Sequence, residues 1–215
     1  MTIDQEDSSL TVRQRAILVI SIAVLLVLLG YWLWQLSQPD GGVRQWQTLN
    51  ARMINQAARL DYSAAILAGR QALELARELF PENDVRLAIA HDNLGEIIRR
   101  SGNFEDALPL LKDGLAIRRN LSGQPADALV TPLNNVACLY EDLFMFDEAE
   151  IYFNEALGEA EKHYGPEGRV TAIVMRNMAR MYGKMIGKDQ LAKEYSAKAD
   201  AVLGPLDEKN ITPRF

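Results

Sequence analysis

A chain of 215 residues with 48% apolar content has enough non-polar side chain for one sizeable core and an appendage. Its net charge of −6 argues against nucleic acid as a partner, because nucleic-acid binding needs a basic footprint. A single cysteine, Cys138, excludes an intrachain disulfide framework and a thiolate metal cluster.

Residues 1–15 are polar and predict a disordered tail, with Asp4, Glu6 and Asp7 followed by Arg13 and Arg15. Ala16 to Trp34 is then an uncharged run of 19 residues in which Ser21 and Gly30 are the least apolar small positions. A helix of that length rises about 28 Å, close to the hydrocarbon thickness of a bilayer, so the run predicts one transmembrane helix. Tyr31, Trp32 and Trp34 sit at its downstream end, where amphipathic rings favour the headgroup layer. A cleavable signal peptide is the alternative, but small residues at a cut site are missing. Arg13 and Arg15 lie closer to the run than the first downstream cation, Arg44. The positive-inside rule therefore predicts a cytoplasmic amino terminus and a folded domain on the far side, the periplasm if the source is bacterial; a cytoplasmic domain is the alternative. Residues 35–42 read as a linker containing Pro39 and the Gly41–Gly42 pair, and fully extended they reach about 26 Å.

From residue 43 onward the chain repeats itself. A shift of 42 residues places Val136 on Leu94, Tyr140 on Ile98, Phe146 on Phe104, Ala149 on Ala107 and Leu157 on Leu115. The same shift forward places Val136 on Met178, Ala137 on Ala179 and Tyr140 on Tyr182. One inserted residue near Gly187 restores register, so that Tyr152 meets Tyr195 and Ala156 meets Ala199. A weaker upstream copy contains Tyr62, Ala65, Leu73 and Leu79. Four units result, at about 43–83, 84–125, 126–168 and 169–204, with a flexible tail at 205–215. Such a period signals supersecondary units that bury their apolar faces by stacking.

The large–small pairs Leu94–Gly95, Val136–Ala137 and Met178–Ala179 carry a resemblance, as do the small residues Ala107, Ala149 and Ala192, then Gly114, Ala156 and Ala199. They make the chain similar to the tetratricopeptide repeat family in its 42-residue form, as found in kinesin light chains. Arg52 and Met53 stand where repeat one would hold its pair. The resemblance implies an all-α solenoid of four helical hairpins, here preceded by the transmembrane helix. It also implies a concave groove lined by the first helix of each hairpin, and usually no catalysis.

In repeat three, Leu133, Val136, Ala137 and Tyr140 share one helix face, so the opposite face is fixed by subtraction. That face predicts a partner-binding groove made of Asp92, Asn93, Glu96, Arg99 and Arg100 in repeat two and Asn134, Asn135, Glu141 and Asp142 in repeat three. Arg176, Asn177, Arg180 and Lys184 supply repeat four. Asn93, Asn135 and Asn177 recur at 42-residue spacing, and amides can both donate to and accept from an extended peptide backbone. The alternative is that they bond neighbouring helices. The flanking arginines suggest a ligand with acidic residues near both ends; a solvated mixed-charge face is the other reading.

Second helices are expected to start at polar caps, Asn103 with Asp106 and Asp147 with Glu150, and Pro109 to be a tolerated early bend. Gly123, Gln124 and Pro125, and Gly165 with Pro166, read as terminators. His91 reads as packed, and neither it nor His163 has metal-ligand spacing. Nothing in the sequence has the pattern of a phosphate loop, a nucleophile elbow or HExxH, so no enzyme activity, cofactor, metal or small-molecule substrate is expected. The expected function is a membrane-anchored scaffold or assembly factor that binds a protein or peptide segment, with a membrane-associated partner expected. The alternative is a constitutive structural subunit of a membrane complex without an exchangeable ligand.

Overall fold

A computed structural model describes residues 12–37, 41–121 and 128–205. The expected tail up to residue 11, Pro39, the terminators Gly123, Gln124 and Pro125, and the tail from 206 onward lie outside the described residues. The chain divides into two compact units, residues 1–44 and 45–215.

In the first unit α1 runs Val12–Ser37 and extends beyond the apolar run at both ends. Its described side chains run from Leu18 to Trp34, and every one is exposed. Among the described residues no helix is long and apolar enough to cross a membrane. The segment expected to be a linker is helical on both sides, since α1 continues to Ser37 and α2 already begins at Gly41. Gly41 and Gly42 open a helix there, at its first turn, where a glycine costs less than in the interior.

The second unit is helical among its described residues: α2 (Gly41–Ala58, most of it in this unit), α3 (Tyr62–Leu79), α4 (Val85–Arg100), α5 (Phe104–Asn120), α6 (Val130–Asp142), α7 (Phe146–Tyr164), α8 (Arg169–Tyr182) and α9 (Asp189–Leu203). They pair as α2/α3, α4/α5, α6/α7 and α8/α9, and consecutive hairpins stack through α3–α4, α5–α6 and α7–α8. The first helices α4, α6 and α8 also touch in sequence.

Packing explains why these residues form these elements. Leu94, Val136, Ala137, Met178, Ala107, Ala149, Ala156 and Ala199 are all buried. At Gly95 a Cβ would stand 2.8 Å from the Leu111 side chain, so the small position lets α4 and α5 meet closely. The stacked pair Tyr140–Tyr152, with centroids 5.5 Å apart, recurs one repeat later as Tyr182–Tyr195 at 5.7 Å. In repeat one, Arg52 is exposed while Met53 is fully buried between α2 and α3.

The turns inside the hairpins are copies of one another. Asp61, Asn103 and Met145 donate their backbone N–H to Gln56, Ile98 and Tyr140, five residues back, and the residue before each donor has positive φ. This is the Schellman ending, in which the left-handed residue favours glycine. Gly102 satisfies that preference, whereas Leu60 (φ 62°) and Phe144 (φ 59°) do not. In the fourth turn the inserted residue moves the left-handed position to Gly187.

Capping follows the expectation in α5, where the Asn103 side chain accepts from the Asp106 N–H. It departs from it in α7. That helix starts at Phe146 after Met145, which has no side-chain acceptor, and Asp147 lies inside the first turn. There it acts with Glu148 on the helix dipole rather than as a cap. α5 runs through Pro109 without a break, and α7 ends at Gly165, whose φ is 76°.

Candidate functional site

The expected groove residues all lie on α4, α6 and α8, but one step along a helix turns a side chain by about 100° and separates them into three groups. Asn93, Asn135 and Asn177 are half-buried at equivalent positions. The side chains of Asn93 and Asn135 make no hydrogen bond to any described residue. Asn177 donates to Asn134 Oδ1 at 2.9 Å and accepts from Arg180 at 2.7 Å. The neighbouring-helix reading therefore holds for Asn177, while among the described residues the other two show no such bond.

The second group lies one residue earlier and turns towards the second helices or into the interior. Asp92 turns towards α5, where Arg118 Nη2 stands 2.7 Å from its Oδ2 and a Cβ at Gly114 would lie 2.1 Å from its Oδ1. Burial pushes the Asp92 carboxyl above the usual carboxylate range against the pull of Arg118. Arg176 turns towards α9, donating to Asp200 at 2.8 Å and to the Gly204 carbonyl at 2.6 Å. Asn134 is buried and points its amide at Cys138 Sγ. Arg118 and Asp200 went unnoticed in the sequence because they sit far along the second helices, with no local spacing to tie them to Asp92 or Arg176.

The third group stitches the first helices together. Arg99, 4% exposed, is held by both oxygens of Glu96 and reaches Asp142 on α6. Glu141, with no exposed surface, receives Arg180 through two bonds of 2.9 and 2.5 Å and Lys184 at 2.8 Å. Burial opposes ionisation of Glu141, yet the bonds from Arg180 and Lys184 outweigh it and hold the carboxyl below its ordinary range. The arginines expected to meet carboxylates of a ligand thus meet carboxylates of this chain. Charges spaced at about one repeat can neutralise each other across adjacent helices, and charge-assisted bonds of this geometry are strong when partly dry. Arg100 is the exception in repeat two, half-buried and 6.0 Å above the Tyr62 ring, with no carboxylate partner among the described residues.

Further along the same face, positions 42 residues before Asn93, Glu96 and Arg100 are Ala51, Ile54 and Ala58, all exposed. This end of the face is small and apolar. His91 is buried as expected, its Nδ1 3.9 Å from Asp113, and burial lowers its pKa. Among the described residues no group of three or more His, Cys, Asp and Glu could hold a metal ion.

The match to a known family falls on the two central hairpins that carry Asn93 and Asn135. Residues 85–162 match the tetratricopeptide repeat family. Similar solved structures include BtubC (BKLC) from P. vanneervenii, 20% identical with a TM-score of 0.60, covering 81% of this chain and 78% of that one. Another is a Podosopora anserina protein described as a kinesin light chain with nearly identical tetratricopeptide-like repeats. It is 16% identical with a TM-score of 0.62, covering 85% of this chain and 86% of that one. At these identities the likeness is one of fold, an all-α tetratricopeptide-like solenoid. Curated relatives include clustered mitochondria protein homologs of Aspergillus fumigatus and Emericella nidulans, each 22% identical over 135 residues. Those residues are 60% of this chain but only 10% and 11% of the relatives' length. Tetratricopeptide repeats bind protein partners, and the fold is typically an interaction scaffold without catalysis.

Proposed function

We propose that the chain is a membrane-anchored interaction scaffold whose repeats receive a segment of a partner protein along the face of α4, α6 and α8. The observation that carries this reading is the pair Asn93 and Asn135. They are half-buried, in line on touching helices, and their side chains have no hydrogen-bond partner among the described residues, while Asp92, Arg99, Glu141, Arg176 and Arg180 around them form ion pairs within the chain. An extended backbone presents unpaired donors and acceptors, which two amides in line can satisfy. The exposed Ala51, Ile54 and Ala58 leave room at the first repeat for an apolar side chain of the same segment. The arginine clamp for acidic ends has less support, because Arg99, Arg176 and Arg180 are already paired.

Anchoring rests on the uncharged run Ala16–Trp34 and on the exposure of every described side chain of α1, which a bilayer would cover. The amino terminus is assigned to the cytoplasm and the repeats to the far side by Arg13 and Arg15.

A photoreactive residue replacing Asn135 in native membranes tests the groove, with the same residue at exposed Asn154 on α7 as control. Capture of a discrete protein from position 135 alone is expected; equal capture from both, or from neither, would overturn the groove reading and favour a constitutive structural subunit. A reporter fused after Phe215 tests the orientation and should behave as exported.

A further inference from the structure

The turns inside the hairpins carry a row of apolar side chains that the groove does not use. Turn two has Gly102 at its left-handed position; the apolar side chains are Leu60 and Phe144 at that position in turns one and three, and Ile186 just before the left-handed Gly187 in turn four. They are 69%, 73% and 105% exposed, and Met145 beside Phe144 is 39% exposed, so water rather than protein covers them. Phe144 also holds a left-handed φ of 59°, a backbone conformation that favours glycine over a residue with a side chain. Its contact with described rings is the edge of Phe146 at 6.1 Å. Strain that carries a bulky apolar ring into solvent is a pointer to a contact outside the hairpin.

The charges beside this row change sign between adjacent turns. After turn three come Asp147 and Glu148, and neither has a cationic partner among the described residues. At turn four Glu141 is shared by Arg180 and Lys184, which leaves one positive charge in excess, on Lys184 at the surface. Lys188 adds another, in contact with the Tyr182 ring at 5.8 Å, and Asp189 is the acid at this turn. Turn three is therefore apolar and acidic, and turn four apolar and basic on balance.

Two adjacent patches of opposite sign on one edge are self-complementary under a two-fold axis between them, since each then meets the other patch of a second copy. We propose that the turn edge of repeats three and four is a self-association surface occupied by a second copy of this chain. Phe144 and Met145 pack against Ile186 of the other copy, and Asp147 and Glu148 face its Lys184 and Lys188. This surface is separate from the Asn93–Asn135 face, so a dimer presents two partner-binding faces.

The test uses full-length chains in native membranes, one carrying Phe144→Cys and the other Ile186→Cys, with different tags and co-expressed. The buried Cys138 of the parent chain supplies the blank, and Glu161→Cys at the far end of α7 supplies the level for random encounter. A mild oxidant should give a mixed disulfide well above that level. Asp147→Lys in both chains should lower the yield about tenfold, and Lys188→Asp added to it should restore it, as like charges across an interface are repelled and re-matched ones are not. Trypsin resistance of each variant establishes that it is folded, and Ser63→Cys paired with itself repeats the measurement at a site off the proposed contact. A yield no higher than Glu161→Cys, or one that Asp147→Lys leaves unchanged in a folded chain, overturns the proposal. Capture of an unrelated protein in place of a second copy overturns it as well.

Discussion

Between α2 and α3, Met53, Ala57, Ala65 and Ala68 close together with Ile97 of α4 in an apolar cluster. Between α6 and α8, the joint is Glu141, Arg180, Lys184, Asn134 and Asn177. One period of sequence thus builds two kinds of junction. An apolar junction degrades by degrees, because each lost methylene removes a part of the burial. A buried charged junction fails abruptly when one partner goes, since the other is left dry and unpaired, yet it tolerates loss of both.

The sharpest test of that contrast is Arg180→Met. It should cost about 3–5 kcal/mol in urea unfolding, because fully buried Glu141 keeps only Lys184. Adding Glu141→Leu should recover most of the loss; a double variant as unstable as the single one would show that the joint is held by shape rather than charge. Met53→Ala should cost about 2–4 kcal/mol by opening a cavity between α2 and α3. Hydrogen exchange should then rise in α2 and α3 while α6 and α8 keep their protection, as nearest-neighbour coupling requires.

A smaller effect comes with acid. His91 is held below its ordinary pKa by burial, so its contribution is present above about pH 6.5 and is lost as pH falls towards its folded value. Glu141, also lowered, adds a loss below the ordinary glutamate range, near pH 4. His91→Leu should flatten the stability profile below about pH 6.5 and leave the acid limb near the carboxylate range in place. Leu60→Gly should do least, raising stability by about 0.5–1 kcal/mol by relieving the left-handed turn, as read from the shift in urea midpoint.

The repeat was legible because packing positions recur: a tyrosine stack needs Tyr140 and Tyr152 in one hairpin and Tyr182 and Tyr195 in the next, and periodicity exposes both. The amide row was legible for the same reason. The partners of the long side chains were not. Asn177 meets Asn134 rather than Asn135, and Arg99 meets Asp142 rather than Glu141, each pair 43 residues apart. Adjacent helices are offset by about one residue there, and a 42-residue comparison cannot register that offset. Arg118 and Asp200 were invisible for a different reason, since a flexible side chain crossing a hairpin leaves no spacing to read. The cap of α7 was misplaced because Asp147 looks like an acceptor, whereas the position equivalent to Asn103 is Met145.

The lone thiol of Cys138 lies inside the charged joint, 3.5 Å from Arg180 Nη2, and burial raises its pKa. An alkylating reagent can meet its thiolate only while α6 and α8 stand apart. Cys138 is therefore a built-in clock for the breathing of that joint, with the labelling rate in place of an added fluorophore. A partner that clamps the two helices would slow it, and one that prises them open would make it run fast.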